Sequence, residues 1–98
     1  MILVWLSAGI FGAGLYTVLT RRDLIAILAG VELMLGAASV AFVSLSAATG
    51  APAADTEAVG LLLIVMAATE AAVGMALVIA LSRASTRSTT TELTEVRG

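Results

Sequence analysis

The stretch Ala29-Gly-Val-Glu-Leu-Met-Leu-Gly36 decides the reading of this chain, because it sets a single ionisable side chain, Glu32, in the middle of a long apolar run. The nearest charges in sequence are Arg21, Arg22 and Asp23 on one side and Asp55 on the other, so a helix through this stretch holds its carboxyl far from both polar ends. Glu70 repeats the arrangement later in the chain. An acid at the centre of a bilayer costs roughly 2.5–3.5 kcal/mol on insertion scales, so two of them in so small a protein call for a function.

Composition puts both acids in a membrane. The chain has 98 residues, 60% of them hydrophobic, and a mean hydropathy of +1.10, well above that of a soluble domain. Most residues fall in apolar runs of about 20, which leaves no room for a second domain with a core of its own. The expected class is therefore all-α membrane protein, residues 1–98 forming a single domain. Without Cys or His, the chain has no thiolates for an iron–sulfur cluster and no imidazole for haem or most zinc sites, so no cofactor or metal site is expected in it. The formal charge of −2 gives no reason to expect a nucleic-acid partner, and the placement of the charges matters more than their sum.

Three spans follow in order. Residues 2–19 are apolar and just long enough to cross most of a hydrocarbon core of about 30 Å. No basic residue precedes them and no small-x-small cleavage pattern follows, so the segment reads as a retained anchor rather than a signal peptide. Gly9, Gly12 and Gly14 either let a neighbouring helix approach closely or reflect the general glycine content of membrane helices. After a polar turn, Thr20-Arg-Arg-Asp23, the second span covers 24–48, with Asp23 placed to cap it. Glu32, Gly36, Ser39 and Ser46 share one face of it. Two readings stand for the serines, a hydroxyl bonded back to its own helix or a water-lined face around Glu32. Thr49 to Glu57, with Gly50 and Pro52, reads as a loop, and 58–82 as the third span. Residues 83–98, rich in Ser, Thr and charge, read as a polar cytoplasmic tail that orders only against a partner.

The basic residues Arg21, Arg22, Arg83, Arg87 and Arg97 all fall on the side of the first loop and the tail, whereas the second loop carries only Asp55 and Glu57. The positive-inside rule then predicts the N-terminus outside and the C-terminus in the cytoplasm. Counting from the cytoplasmic ends of the spans puts Glu32 about 12 Å deep and Glu70 about 18 Å deep. The segments Glu32-x-x-x-Gly36-x-Ala38-x-Val40 and Glu70-x-x-x-Gly74-x-Ala76-x-Val78 also resemble each other. In antiparallel helices this count sets Gly36 level with Glu70 and Gly74 level with Glu32, each acid facing a position with no side chain, unless the likeness is only that of two Ala/Gly/Val-rich helices.

Oil disfavours the charged form of a carboxyl, and a cation or hydrogen bonds favour it again, so such a group can be poised to take up and release a proton. Arg and Lys are absent from all three spans, so a cationic partner for either acid must come from another chain. The competing structural reading is a permanently protonated Glu that glues helices together as a hydrogen-bond donor.

Taken together, Thr20-Arg21-Arg22, Val31-Glu32-Leu33-Met34-Leu35, Ala68-Thr69-Glu70-Ala71-Ala72-Val73-Gly74 and the ending Glu95-Val96-Arg97-Gly98 resemble the NuoK-type small membrane subunits of complex I, the proton-translocating NADH:quinone oxidoreductase. The resemblance covers nearly the whole chain. It implies a multi-pass subunit of the bacterial inner membrane in which Glu32 and Glu70 belong to a chain of carboxylates relaying protons during quinone reduction, supported by Arg21 and Arg22 in the cytoplasmic loop. It implies other membrane-arm subunits as partners, an antiporter-like one among them, with flavin, iron–sulfur clusters and quinone handled by those partners. Gly36 departs from the asparagine common in the family, and Thr69 from its usual alanine. The small subunit of multisubunit Na⁺/H⁺ antiporters shares the three-span plan but lacks the acid in the second span. A rotor-ring proteolipid has two spans and one acid, a small multidrug exporter has a fourth span, and a membrane anchor with no proton role remains a reading from another class.

Overall fold

The computed structural model describes the backbone of residues 1–97 and the side chains of residues 1–85. The fold is all-α, with three helices: α1 (Ile2–Thr20), α2 (Leu24–Ala48) and α3 (Ala53–Arg97). Each is long and apolar enough to cross a membrane. In lipid a helix satisfies its own backbone polar groups, and that is why apolar runs of this length become helices and not strands.

Local chemistry sets the ends. Arg21 closes α1 in an extended conformation, and Asp23 caps α2, its Oδ1 accepting from the Ile25 N–H at 3.1 Å. At the other end of α2, Gly50 adopts φ +75, the left-handed conformation that a side chain disfavours. There the Gly50 N–H donates to the Ala47 carbonyl at 3.3 Å and the Ala51 N–H to the Ser46 carbonyl at 3.1 Å. These paired bonds form a Schellman ending that satisfies carbonyls the helix would otherwise leave open.

The third helix differs from the sequence reading at both ends. It starts at Ala53, ahead of the expected 58, because Pro52 suits the entry to a helix and its carbonyl accepts from both the Thr56 N–H, at 3.1 Å, and the Thr56 hydroxyl, at 3.2 Å. Asp55 therefore lies in the first turn and not in a loop, where it complements the positive end of the helix dipole. Helical backbone also continues past 82 to Arg97, since Ser, Thr and Glu tolerate helix once a long apolar segment has nucleated it. How the side chains of the tail engage a partner lies outside the described residues.

Helix α1 packs on α2 and α2 on α3, with no contact between α1 and α3 among the described residues. The result is a single layer of helices, 10 Å in its thinnest extent. Among the described residues only Ser7, Gly14, Gly30 and Ala37 are buried, all at or near the α1–α2 contact. Where lipid removes the hydrophobic driving force, close packing of small residues takes its place. A Cβ on Gly14 would come within 2.7 Å of the Gly30 carbonyl oxygen, and one on Gly30 within 2.9 Å of the Gly14 carbonyl oxygen. Gly9 and Gly12 face open space, so Gly14 alone of the three glycines in α1 serves this crossing.

Gly14→Val and Gly30→Val are expected to force the two backbones apart and destabilise the subunit by about 1–3 kcal/mol, the usual range for overpacking. Immunoblots of membranes should show a loss of the subunit for both, with Gly9→Val at the wild-type level.

Candidate functional site: two membrane carboxyls

Helix α2 turns one stripe toward α3. Two contacts mark it: a Cβ on Gly74 would lie 2.6 Å from Leu28 Cδ1, and one on Gly60 would lie 3.7 Å from Val43 Cγ2. By helical spacing Glu32, Leu35 and Ser39 fall between Leu28 and Val43 on this side of α2. The opposing stripe of α3, half-buried throughout, is Thr56, Gly60, Leu63, Ala67, Ala71, Gly74 and Val78, a run of threes and fours that keeps one face of an α-helix turned inward.

The same two contacts fix the vertical register. Leu28 beside Gly74 and Val43 beside Gly60 bring Glu32 level with Glu70 and Ala71. The acids thus share one height in the layer, which corrects the sequence expectation of unequal depths and of Gly36 opposite Glu70. Gly74 accommodates Leu28 and not the carboxyl of Glu32, and Gly36 comes level with Ala67, where nothing stands within 4 Å of its Cβ position. Counting from the ends of apolar runs misses this register by about one turn of helix, or 5.4 Å. The reason is that packing of Leu28 at Gly74, and not the ends of the apolar runs, sets the register.

The environments of the two acids differ. Glu32 is half-buried, and its Oε1 is shut off from solvent with no hydrogen-bond partner. A buried polar atom left without a partner carries a cost, which a donor from another chain would remove. Glu70 is exposed, at the edge of the inward stripe of α3, where this chain leaves its carboxyl uncovered. The hydroxyls near the acids are committed to their own helices. Ser39 Oγ donates to the Leu35 carbonyl at 2.9 Å and Thr69 Oγ1 to the Val65 carbonyl at 2.8 Å, so both hydroxyl protons are bonded back to their own helices.

An open cavity of about 440 Å³ between α2 and α3 is lined by Gly36, Ser39, Val43, Gly60, Leu63 and Ala67, among others. It begins one turn from Glu32, so the glycine at 36 leaves room that an amide side chain would occupy. Arg21 and Arg22 are exposed on the α1–α2 connection, about 15 Å along the helix axis from Glu32. They are not brought to either carboxyl. No group of three or more His, Cys, Asp or Glu side chains able to hold a metal ion is assembled among the described residues. What sequence reasoning missed is the Leu28–Gly74 and Val43–Gly60 pairing; its one trace in the sequence is that Gly60 and Gly74 recur on the same face of α3.

Residues 2–98 match the family described as NADH-ubiquinone/plastoquinone oxidoreductase chain 4L. NADH-quinone oxidoreductase subunit K of Anaeromyxobacter sp. (strain K) is 44% identical over 80 residues, covering 82% of this chain and 79% of that protein. NADH-quinone oxidoreductase subunit 11 of Thermus thermophilus is 39% identical over 92 residues, covering 94% of each. Subunit K of Akkermansia muciniphila is 37% identical over 95 residues, covering 94% of this chain and 90% of that protein.

The absence of native cysteine makes the register directly measurable. Oxidative cross-linking in membranes should join α2 to α3 in the double variants Leu28→Cys/Gly74→Cys and Val43→Cys/Gly60→Cys. The double variant Gly36→Cys/Gly74→Cys, about two turns out of register, should stay unlinked.

Proposed function

The chain belongs to the NADH-ubiquinone/plastoquinone oxidoreductase chain 4L family, and from that membership we propose that it serves in the membrane arm of complex I, with Glu32 and Glu70 as members of its proton relay. It is a multi-pass membrane subunit of NADH-quinone oxidoreductase. In this proposal it sits in the bacterial inner membrane with the N-terminus outside and the C-terminus in the cytoplasm. Its partners are other membrane-arm subunits, an antiporter-like one among them, and flavin, iron–sulfur clusters and quinone reside in partner subunits.

Register is the observation that supports this reading most. Two carboxyls at one height on neighbouring helices suit a lateral hand-over, in which a proton leaves one acid and, carried by water or by groups of a neighbouring subunit, is taken up by the other in its ionised form. The bond broken is O–H on one acid and the bond formed is O–H on the other, so charge moves sideways without crossing the layer. Glu32 is half-buried with one oxygen unpartnered within this chain, while Glu70, open at the surface of the chain, is available to a cation or a donor on a neighbouring subunit. A positive charge arriving beside Glu70 would stabilise its anion, and a charge leaving would favour its protonation. Arg21 and Arg22 support the relay from the cytoplasmic loop, too far from the carboxyls to exchange protons with them.

Glu32→Gln and Glu70→Gln keep the shape of each side chain and remove the titration. Both variants should co-purify with the complex, yet the pH gradient formed by inverted membrane vesicles on NADH addition should fall at least about tenfold, toward the losses typical when a positioned acid–base group is removed. An intact gradient with lowered co-purification would instead identify the acids as helix glue. Sidedness has its own test: a membrane-impermeant maleimide added outside spheroplasts should label Thr49→Cys and spare Thr20→Cys.

A further inference from the structure

Helix α1 carries two opposite stripes, and only one of them is used. Val4, Ser7, Phe11, Gly14 and Val18 face α2, with Ser7 and Gly14 buried there. On the far side Ile2, Trp5, Gly9, Gly12, Tyr16 and Leu19 follow one another at threes and fours, and every one of them is exposed. The only tryptophan and the only tyrosine of the chain both fall on this outer stripe, about 20° apart around the helix. Trp5 is 78% exposed and Tyr16 is 69% exposed. One lies about 5 Å from the start of α1 and the other about 6 Å from its end, close to the two edges of the hydrocarbon core.

We propose that this outer stripe of α1 is a lipid boundary in the assembled complex: phospholipid acyl chains cover Gly9 and Gly12, and Trp5 and Tyr16 anchor the helix at the two headgroup levels. An amphipathic ring is most stable where its apolar body meets acyl chain and its N–H or O–H meets interfacial water, and an aromatic at each end of one helical face matches the two aromatic belts at the membrane interfaces. Charge agrees with geometry. Arg21 and Arg22, both exposed, follow directly on Leu19 and Thr20, where they complement anionic lipid phosphates. Shape also selects the occupant. Large rings at both ends of the stripe hold a parallel neighbouring helix off the glycine backbone between them, whereas flexible acyl chains fill the dip. The stripe holds no carboxyl and no cation, so it offers a protein partner none of the polar glue that Glu70 offers on α3.

The test uses the whole complex in native membranes. A photoreactive p-benzoylphenylalanine at position 12, irradiated in place, should yield adducts of the subunit with phospholipid, detected by intact mass. A cross-link to another subunit would overturn the proposal. Gly12→Leu should leave both co-purification and NADH-driven pumping within about twofold of the unsubstituted complex, as befits a surface site. A loss of co-purification several times larger than that would mean that a partner helix occupies the stripe.

Discussion

Close approach of helices through positions that lack a side chain is the constraint on which the rest of this structure depends. Gly14 and Gly30 each set a backbone carbonyl where a Cβ on the other would be, Gly74 makes room for the Leu28 side chain, and Gly60 meets Val43 at ordinary van der Waals distance. In water such contacts would be minor beside the burial of large apolar side chains. In lipid the same side chains gain little by leaving acyl chain for protein, so van der Waals fit at small residues decides both which faces meet and at what height. No large side chain is fully buried among the described residues, as expected where the surrounding medium is already apolar.

The height bears on the proposed relay. A carboxyl pair separated along the membrane normal would suit transport across the bilayer, whereas a pair at one height suits transfer along it. The Leu28–Gly74 and Val43–Gly60 contacts set the two acids at one height, and they do so without either acid taking part. Packing is thereby separable from the acids: the glycines set the geometry, and neither carboxyl is needed to hold it. The surroundings of the acids are unlike, since Glu32 holds an oxygen shielded from solvent and Glu70 is open at the surface of the chain.

Much of this was legible in the sequence, and the parts that were not have identifiable causes. The bounds of α2 could be read because Asp23 and Gly50 carry unambiguous end signals, and the Asp23 side chain bonds the Ile25 N–H as such a cap should. The start of α3 was hidden because Pro52 marks a loop and a helix entry equally well, and the helical position of Asp55 resolves the ambiguity only once the Thr56 bonds to Pro52 are seen. The likeness between the segments around Glu32 and Glu70 pointed to a symmetric exchange of acid and glycine between the helices. Packing overrides that symmetry, because Leu28 takes the space at Gly74. Periodicity identifies which residues share a face, but it holds no information about how far one helix slides past another.

A layer one helix thick cannot enclose a site, so every function of this chain must be completed from outside it. Its two ends differ in kind. The α1 side ends in a stripe of apolar residues bracketed by Trp5 and Tyr16, with nothing ionisable at mid-height, and the α3 side exposes an acid there. An uncovered carboxyl facing acyl chains would carry a cost of roughly 2.5–3.5 kcal/mol with nothing to offset it, whereas the α1 stripe facing lipid carries no such cost. Minimising the free energy of the assembly therefore turns α3 inward, against protein able to supply a donor or a cation, and leaves α1 as the side that meets the bilayer. On this view the asymmetry of the layer orients the subunit within its complex before any specific contact with a partner is made.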